Sequence, residues 1–212
     1  MKTKVKIAAF YFLAIVLGGC VPSLHPLFTE NELIFDANLV GVWSPTDSNE
    51  TWEFKPGGKG YECIYVDNNS KIGRFDAGLG KLQNNMFLDI YPKELNLTEN
   101  GFYKMHFLAA HSFIRVYLTK DLLELRAMNP ENLDKLLKSD PNIIKHERLG
   151  GDSIVLTAST KELQEFMLRY GVDEKLELFG KAKVADKLHR VKANANEPND
   201  ANNKQPEGAM RK

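Results

Sequence analysis

The sequence predicts a mainly β fold with two helices, in which the strands form an antiparallel meander. Three observations lead to this prediction. Most segments between Gly41 and about Ser159 alternate apolar and polar residues with a period of two. Clusters of Gly, Pro, Asn and Asp separate these segments at short intervals. Two further segments, 130–139 and 160–170, carry apolar residues at helical spacing, so we expect one helix inserted in the meander and one after it.

Residues 1–19 have the form of an export signal. Three lysines precede an uncharged apolar run from Ile7 to Leu17, which is too short for a spanning helix of about 20 residues. The run ends in Leu17-Gly18-Gly19-Cys20, which resembles the bacterial lipobox. That resemblance implies cleavage between Gly19 and Cys20 and attachment of a diacylglycerol and of acyl chains such as palmitate to Cys20. An ordinary signal peptide with a chance cysteine is the alternative.

The residue after the lipobox cysteine indicates the membrane. Val21 stands where an Asp would be typical of retention in the inner membrane of Gram-negative bacteria. By that resemblance we expect the outer membrane, with the protein facing the periplasm. In a host without an outer membrane, the expected place is the outer leaflet of the plasma membrane.

The chain after the signal divides into three parts. Residues 20–38 contain turn-forming prolines and are interpreted as a lipid-proximal linker. Residues 39–184 are predicted to form one β-rich domain. Residues 185–212 include a long Asn- and Ala-rich stretch without large apolar residues, so we predict a disordered tail.

The first strand of the domain begins with a recognisable motif. Gly41-Val42-Trp43 resembles the Gly-x-Trp start of lipocalins and the wider calycins. The resemblance implies an up-and-down barrel over about 41–159, with Gly41 and Trp43 closing one end. Lipocalins pair this Trp with an Arg of the last strand, for which Arg126 and Arg148 are the nearest candidates. Another antiparallel sheet is the alternative.

The remaining strands and both helices follow from turns and caps. The expected strands are 51–55, 61–66, 73–82, 86–91, 103–118, 122–128, 143–149 and 154–157, and Gly78 and Gly80 allow a bend or bulge in the third of these. Asn129 and Pro130 predict a helix start, and Ser159 with Glu162 forms a capping box before the second helix. We expect both helices to pack on the sheet, and a groove for a partner is the alternative.

One face of the long strand is the best candidate for a ligand site. Alternation places a mixed apolar and polar row on one side, in which the candidate ligand-lining residues are Phe107, His111, Phe113, Arg115 and Tyr117, joined by Tyr61 and Tyr65 from an earlier strand. Such a row suits an amphipathic molecule such as a fatty acid. We favour the other interpretation of this row, a packed core in which Arg115 extends to water, because pocket and core residues look alike in sequence.

Other functional classes have weaker support. The 28 basic and 28 acidic residues balance, which argues against a general nucleic-acid binder. No cofactor is predicted, and His106 and His111 point to opposite faces of a strand, which gives no metal site. Gly151-Asp152-Ser153 with Asp186 and His189 resembles the GDSL-type hydrolases, although Ser153 comes late in the chain and the family's Gly-x-Asn-Asp block is missing. Cys63 is expected to be a buried, inert thiol.

We therefore expect a membrane-anchored, non-catalytic envelope lipoprotein. Its first predicted role is binding of an apolar or amphipathic small molecule. Its second is structural, as an assembly protein that contacts an envelope protein partner. A GDSL-like hydrolase is a remote third.

Overall fold

A computed structural model describes residues 21–93, 100, 107–150, 153–181, 183 and 186–191. Within these residues the chain is mainly β and forms a closed barrel of eight antiparallel strands with two short helices. In chain order the elements are β1 (Pro22–Ser23), β2 (Gly41–Pro45), β3 (Thr51–Gly57), β4 (Gly60–Val66), β5 (Ile72–Leu82), β6 (Asn85–Pro92), β7 (His111–Leu118), β8 (Leu122–Ala127), α1 (Pro130–Ser139), β9 (His146–Leu149), β10 (Ser153–Leu156), α2 (Thr160–Phe166) and β11 (Lys187–Arg190).

The barrel closes through a strand from late in the chain. Strands β2 to β8 each pair with the next, all antiparallel. β11 lies between β8 and β2, with Leu188 opposite Leu123 and Arg190 opposite Trp43. The prediction of disorder from residue 185 onward is therefore wrong for Lys187–Arg190. Four residues with one buried side chain, Leu188, give a strand signal too short to recognise in a polar stretch.

Beyond the barrel the same sheet continues into three short strands, here called the side sheet. β1 pairs antiparallel with the beginning of β7 and parallel with β10, and β10 pairs with β9. The resemblance to calycins had placed the last barrel strand at 154–157, but β10 belongs to this side sheet. The predicted strand 103–118 is also too long, because residues 107–110 are not in a strand; its residues 103–106 lie outside the described residues.

Two hydrophobic cores occupy the two sides of the barrel wall. The first fills the barrel interior and contains Leu39, Trp43, Phe54, Tyr61, Cys63, Ala77, Leu79, Leu88, Ile90, Ile114, Val116, Leu123, Leu125 and Leu188. The second lies outside β5, β6 and β7, under both helices and the side sheet, and includes Val21, Leu27, Phe28, Phe87, Phe113, Leu133, Leu156, Leu163 and Phe179. The helical stripes thus pack on the sheet, as predicted.

Residues 21–40, here called the N-terminal segment, belong to the folded domain. Leu27 and Phe28 are buried in the outer core. The Leu27 N–H donates to Asp89 Oδ2 at 2.7 Å, and the Ile34 N–H donates to Leu79 O at 2.8 Å. The prediction that residues 20–38 form a linker is therefore wrong from Val21 onward. The segment contains enough apolar side chains to offset the entropy lost when it is ordered.

Two glycines of β5 allow this segment to lie against the barrel. A Cβ at Gly80 would stand 2.5 Å from the Phe28 ring, and one at Gly78 would stand 2.8 Å from Leu33. A bulge does not occur at these positions, since both glycines pair in regular register with β6. The glycines instead permit close approach of the N-terminal segment.

Both helices begin where their caps predict. The Asn129 side chain accepts from the Asn132 N–H at 3.0 Å, with Pro130 as the first helical residue of α1. Ser159 and Glu162 form the capping box of α2. After Phe166 the helix widens into a π-helical turn over Met167–Gly171, so the predicted helix 160–170 is confirmed with a change of hydrogen-bonding pattern near its end.

Candidate functional site

The barrel interior, where a calycin-like ligand would bind, is filled by side chains of the chain itself. Trp43, Phe54 and Tyr61 are each at most 2% exposed. The Tyr61 hydroxyl accepts from the Asp36 N–H at 2.6 Å and donates to Asp36 O at 3.0 Å, and burial raises its pKa. An eight-stranded barrel is just wide enough to be filled by side chains or to hold one small ligand. The near-zero exposure of these side chains indicates that the interior is filled. Tyr61 is therefore a packing residue that also fixes the N-terminal segment.

Tyr65 belongs to a separate contact of the same strand. Its hydroxyl donates to Glu50 Oε1 at 2.5 Å, and its ring centroid lies 4.5 Å from that of Trp52. Burial, followed by the hydrogen bond to Glu50, raises its pKa. Cys63 lies between the two tyrosines and is fully buried, and burial raises its pKa to about 12, as expected for an inert thiol.

The predicted ligand-lining face of β7 points out of the barrel. Ile114 and Val116 lie in the interior core, whereas Phe113 lies in the outer core. Because side chains alternate along a strand, His111, Arg115 and Tyr117 share the outer side with Phe113. The prediction that this row lines a barrel pocket is therefore wrong. Both faces of β7 are buried, so alternation alone does not identify the inner one.

His111 forms a pair with a buried carboxylate. Its Nδ1 lies 2.8 Å from Asp89 Oδ1, and the ring centroid of Tyr91 lies 4.6 Å from its own. Asp89 is 6% exposed and also accepts from the Leu27 N–H. Ser23 stands opposite His111 in the strand pairing, but its hydroxyl donates to His25 O. The pair therefore connects the barrel wall to the N-terminal segment.

Arg115 and Tyr117 form a charge-balanced network on the outer wall. Arg115 Nη2 donates to Asn85 Oδ1 at 2.7 Å and lies 2.9 Å from Glu174 Oε1, while its Nε is buried without a partner among the described residues. Tyr117 donates to Glu174 at 3.0 Å, and the Arg126 guanidinium stacks 4.4 Å from the Tyr117 ring. Burial raises the pKa of Tyr117, with Glu174 contributing. Sequence reasoning missed Glu174, which lies outside any regular pattern.

Gly41 and Trp43 stand together with an arginine at one end of the barrel. The guanidinium carbon of Arg190 lies 4.2 Å from the centre of the Trp43 ring. Its nitrogens donate to three backbone carbonyls, Val40 O at 2.7 Å, Asn38 O at 2.6 Å and Lys120 O at 3.1 Å. A Cβ at Gly41 would stand 2.5 Å from Arg190 Nη1, and the φ of Gly41 is +132°. The glycine therefore provides both the backbone conformation and the space for the arginine.

The arginine expected beside Trp43 is thus Arg190. The candidates Arg126 and Arg148 are wrong, because Arg126 pairs with Glu124 on the outer wall and Arg148 with Asp134 of α1. Arg190 was overlooked because its strand, β11, lies within the stretch predicted to be disordered.

The three residues that resemble a hydrolase triad lie on different parts of the fold. Ser153 begins β10, whereas His189 is in β11 and Asp186 directly precedes it. Three strands, β8, β7 and β1, stand between β11 and β10 in the sheet order. At about 4.8 Å per strand, this separates Ser153 and His189 beyond hydrogen-bond reach.

The described residues form at least two hollows outside the barrel. One, of about 550 Å³, lies between the N-terminal segment and α2 and is lined by residues with polar or charged groups, His25, Thr29, Glu32, Ser159, Thr160, Lys161 and Gln164. The other, of about 260 Å³, lies between α2 and the segment before β9. Within the described residues, no group of three or more His, Cys, Asp and Glu side chains is placed to hold a metal ion.

The predicted lipid site, Cys20 with the cleavage position after Gly19, lies outside the described residues. Val21, directly after it, is 3% exposed and belongs to the outer core. None of the helices in the described ranges is long and apolar enough to cross a membrane. Comparison of the chain with models of protein families, with curated proteins and with solved structures found no match.

Proposed function

We propose that this protein is a bacterial envelope lipoprotein, anchored through Cys20, whose barrel acts without catalysis by contacting an envelope protein partner. The filled barrel interior is the observation that favours a protein partner over a small-molecule ligand. The interior core holds three large aromatic side chains, Trp43, Phe54 and Tyr61, each at most 2% exposed. A molecule inside the barrel would have to displace close-packed side chains, which is costly. The outer surface is the part left for recognition.

The anchor is supported by the sequence and is compatible with the fold. The lipobox-like Leu17-Gly18-Gly19-Cys20 follows a short apolar run. The described fold begins at Val21, so a lipid on Cys20 would attach directly to the folded domain. Two or three acyl chains give stable anchoring at about 0.8 kcal/mol per buried CH₂.

Replacement of the anchor residue tests localisation. The Cys20→Ala variant should either leave membranes or accumulate as the uncleaved precursor. The measurement is membrane fractionation, with the mass of the N-terminal peptide determined for the wild-type protein. A variant that is processed normally and stays fully in the membrane fraction would refute lipid anchoring.

Site-specific crosslinking tests the partner. Phe35 and Ile72 are large apolar side chains with 57% and 62% exposure. A photoreactive amino acid at each position should give a discrete crosslinked product in intact cells, which mass spectrometry identifies. The same amino acid at buried Leu88 is the control that should give none. If neither exposed position, nor a further set spread around the barrel, yields a product, the partner proposal is wrong.

Binding of an amphipathic small molecule in a calycin-like barrel is the second candidate. The observation that favours it is the stacking of Arg190 on Trp43 behind Gly41, which resembles the closed end of lipocalins. Native mass spectrometry of the exported Cys20→Ala chain distinguishes the two. A co-purified mass of a few hundred daltons would favour the ligand-binding role, whereas an apo mass favours the protein-contact role.

A further inference from the structure

Four exposed apolar side chains surround the beginning of β7. Leu24, Tyr91, Phe107 and Leu108, here called the apolar rim, are 41%, 38%, 48% and 77% exposed. Each of them belongs to a segment that pairs with, contacts or leads into His111, the first residue of β7. Ser23 pairs with His111 and leads to Leu24, the Tyr91 ring stacks on the His111 ring, and Phe107 and Leu108 precede it closely in the chain. The described residues contain eight exposed large hydrophobic side chains, and half of them lie here.

The proposed lipid site is close to this rim. Cys20 precedes Leu24 by four residues, which span at most about 14 Å when fully extended. The chain between them is held in place, because Val21 is buried in the outer core and β1 is paired on both sides. Acyl chains on Cys20 therefore enter the bilayer within a short distance of the rim.

We propose that the apolar rim docks onto the bilayer surface that holds the acyl chains of Cys20. This inference rests on the lipid anchor proposed above. Leucine and phenylalanine side chains insert at the boundary between headgroups and acyl chains, and tyrosine is enriched at that level of a membrane. The anchor makes the contact intramolecular, so a small apolar surface is sufficient to orient the barrel. Docking leaves the opposite end of the barrel, with Lys120 and Arg190, facing away from the membrane.

Depth-dependent fluorescence quenching tests this orientation. The full-length lipoprotein is reconstituted into phosphatidylethanolamine–phosphatidylglycerol vesicles that contain nitroxide-labelled lipid. An environment-sensitive fluorophore is attached at Leu108→Cys, with Lys120→Cys at the other end of β7 as the matched control. Cys63 is fully buried and does not compete for the label. The acylated Cys20 sulfur is a thioether and is also unreactive.

The expected result is a blue-shifted emission at position 108 and quenching there roughly threefold or more above that at position 120. Leu24→Ser in the protein labelled at position 108 should weaken this quenching. A label at Leu149→Cys, an exposed leucine outside the rim, reports on a competing orientation. In that orientation the surface around Leu149, and not the rim, faces the bilayer.

Two results would overturn the inference. Equal quenching at positions 108 and 120, or stronger quenching at 149 than at 108, would show that the rim does not face the bilayer. The mass of the N-terminal peptide from the same sample separates this failure from failure of the anchor. Acylated Cys20 without quenching at 108 refutes only the docking, whereas unmodified Cys20 refutes both.

Discussion

Arg190 joins three separate parts of one barrel end. It stacks on Trp43, occupies the space left by Gly41 and donates to carbonyls that precede β2 and follow β7. The sequence predicted Gly41 and Trp43 as closing residues, and the structure places them together with this arginine. Arg190 was not predictable, because its role depends on a contact across about 150 residues of chain. A local sequence pattern gives no information about contacts between residues so far apart in the chain.

Replacing Arg190 tests this arrangement. Arg190→Lys removes the planar stack on Trp43. A single ammonium group cannot donate in the same geometry to the three backbone carbonyls that accept from the guanidinium. We expect a loss of about 1–3 kcal/mol in the free energy of unfolding and a change in tryptophan fluorescence. Chemical denaturation gives the energy. Arg169→Lys is the control, because Arg169 stacks on Tyr170 at the exposed surface, and a change within about 0.5 kcal/mol is expected there. Equal effects of the two changes would contradict the assigned role.

The capping carboxylate of α2 makes stability depend on acid. Pairing with Lys145, and then hydrogen bonds from Ser159, lower the pKa of Glu162 from 4.5 to about 2. A depressed pKa contributes stability that is fully present above pH 4.5 and is lost as the pH falls toward 2. Glu162→Gln should therefore destabilise the protein at pH 7, and the difference from wild type should shrink between pH 4.5 and 2.

Urea denaturation at several pH values measures this difference. Lys145→Met, which removes the largest cause of the shift, should show part of the same pH dependence. A Glu162→Gln effect that stays constant from pH 7 to 2 would mean that the carboxylate charge is not responsible.

At the scale of elements, local signals predicted most strands but not their faces. Strands β3 to β6 and β8 were expected within a few residues of their bounds, because each lies between clear turns. The row on β7 was assigned to the interior although it faces outward. The helices and the N-terminal segment bury the outer face of β7, and the barrel core buries its inner face. Two buried faces produce no amphipathic contrast.

The contact between the N-terminal segment and β5 gives a prediction at this scale. Gly80→Ala places a Cβ 2.5 Å from the Phe28 ring, which is buried in the outer core. We expect destabilisation of about 1–3 kcal/mol, as is typical of overpacking. Thermal unfolding measures it. The double variant Gly80→Ala/Phe28→Leu should be less destabilised than the sum of its single changes, and strict additivity would show that the two positions do not clash.

At the scale of the whole molecule, barrel closure depends on four residues beyond the predicted domain. A chain that ends at residue 184 lacks β11, so β2 and β8 each gain an unpaired edge and the interior loses Leu188. We expect this chain to aggregate or to unfold without cooperativity. A chain that ends at residue 191 should keep the full melting temperature. Circular dichroism and size-exclusion chromatography distinguish the two, and identical melting curves would show that β11 is dispensable.

The position of β11 also sets an order of events during biogenesis. Seven barrel strands are synthesised before residue 187, yet none of them closes the ring. If Cys20 is acylated early in secretion, the chain is tethered to the membrane while the barrel is still open. Trp43 and Arg190 are separated by most of the polypeptide, and contacts between residues so far apart in the chain form slowly. A chaperone that shields the unpaired edges of β2 and β8 would therefore be needed most in the interval before β11 pairs with them.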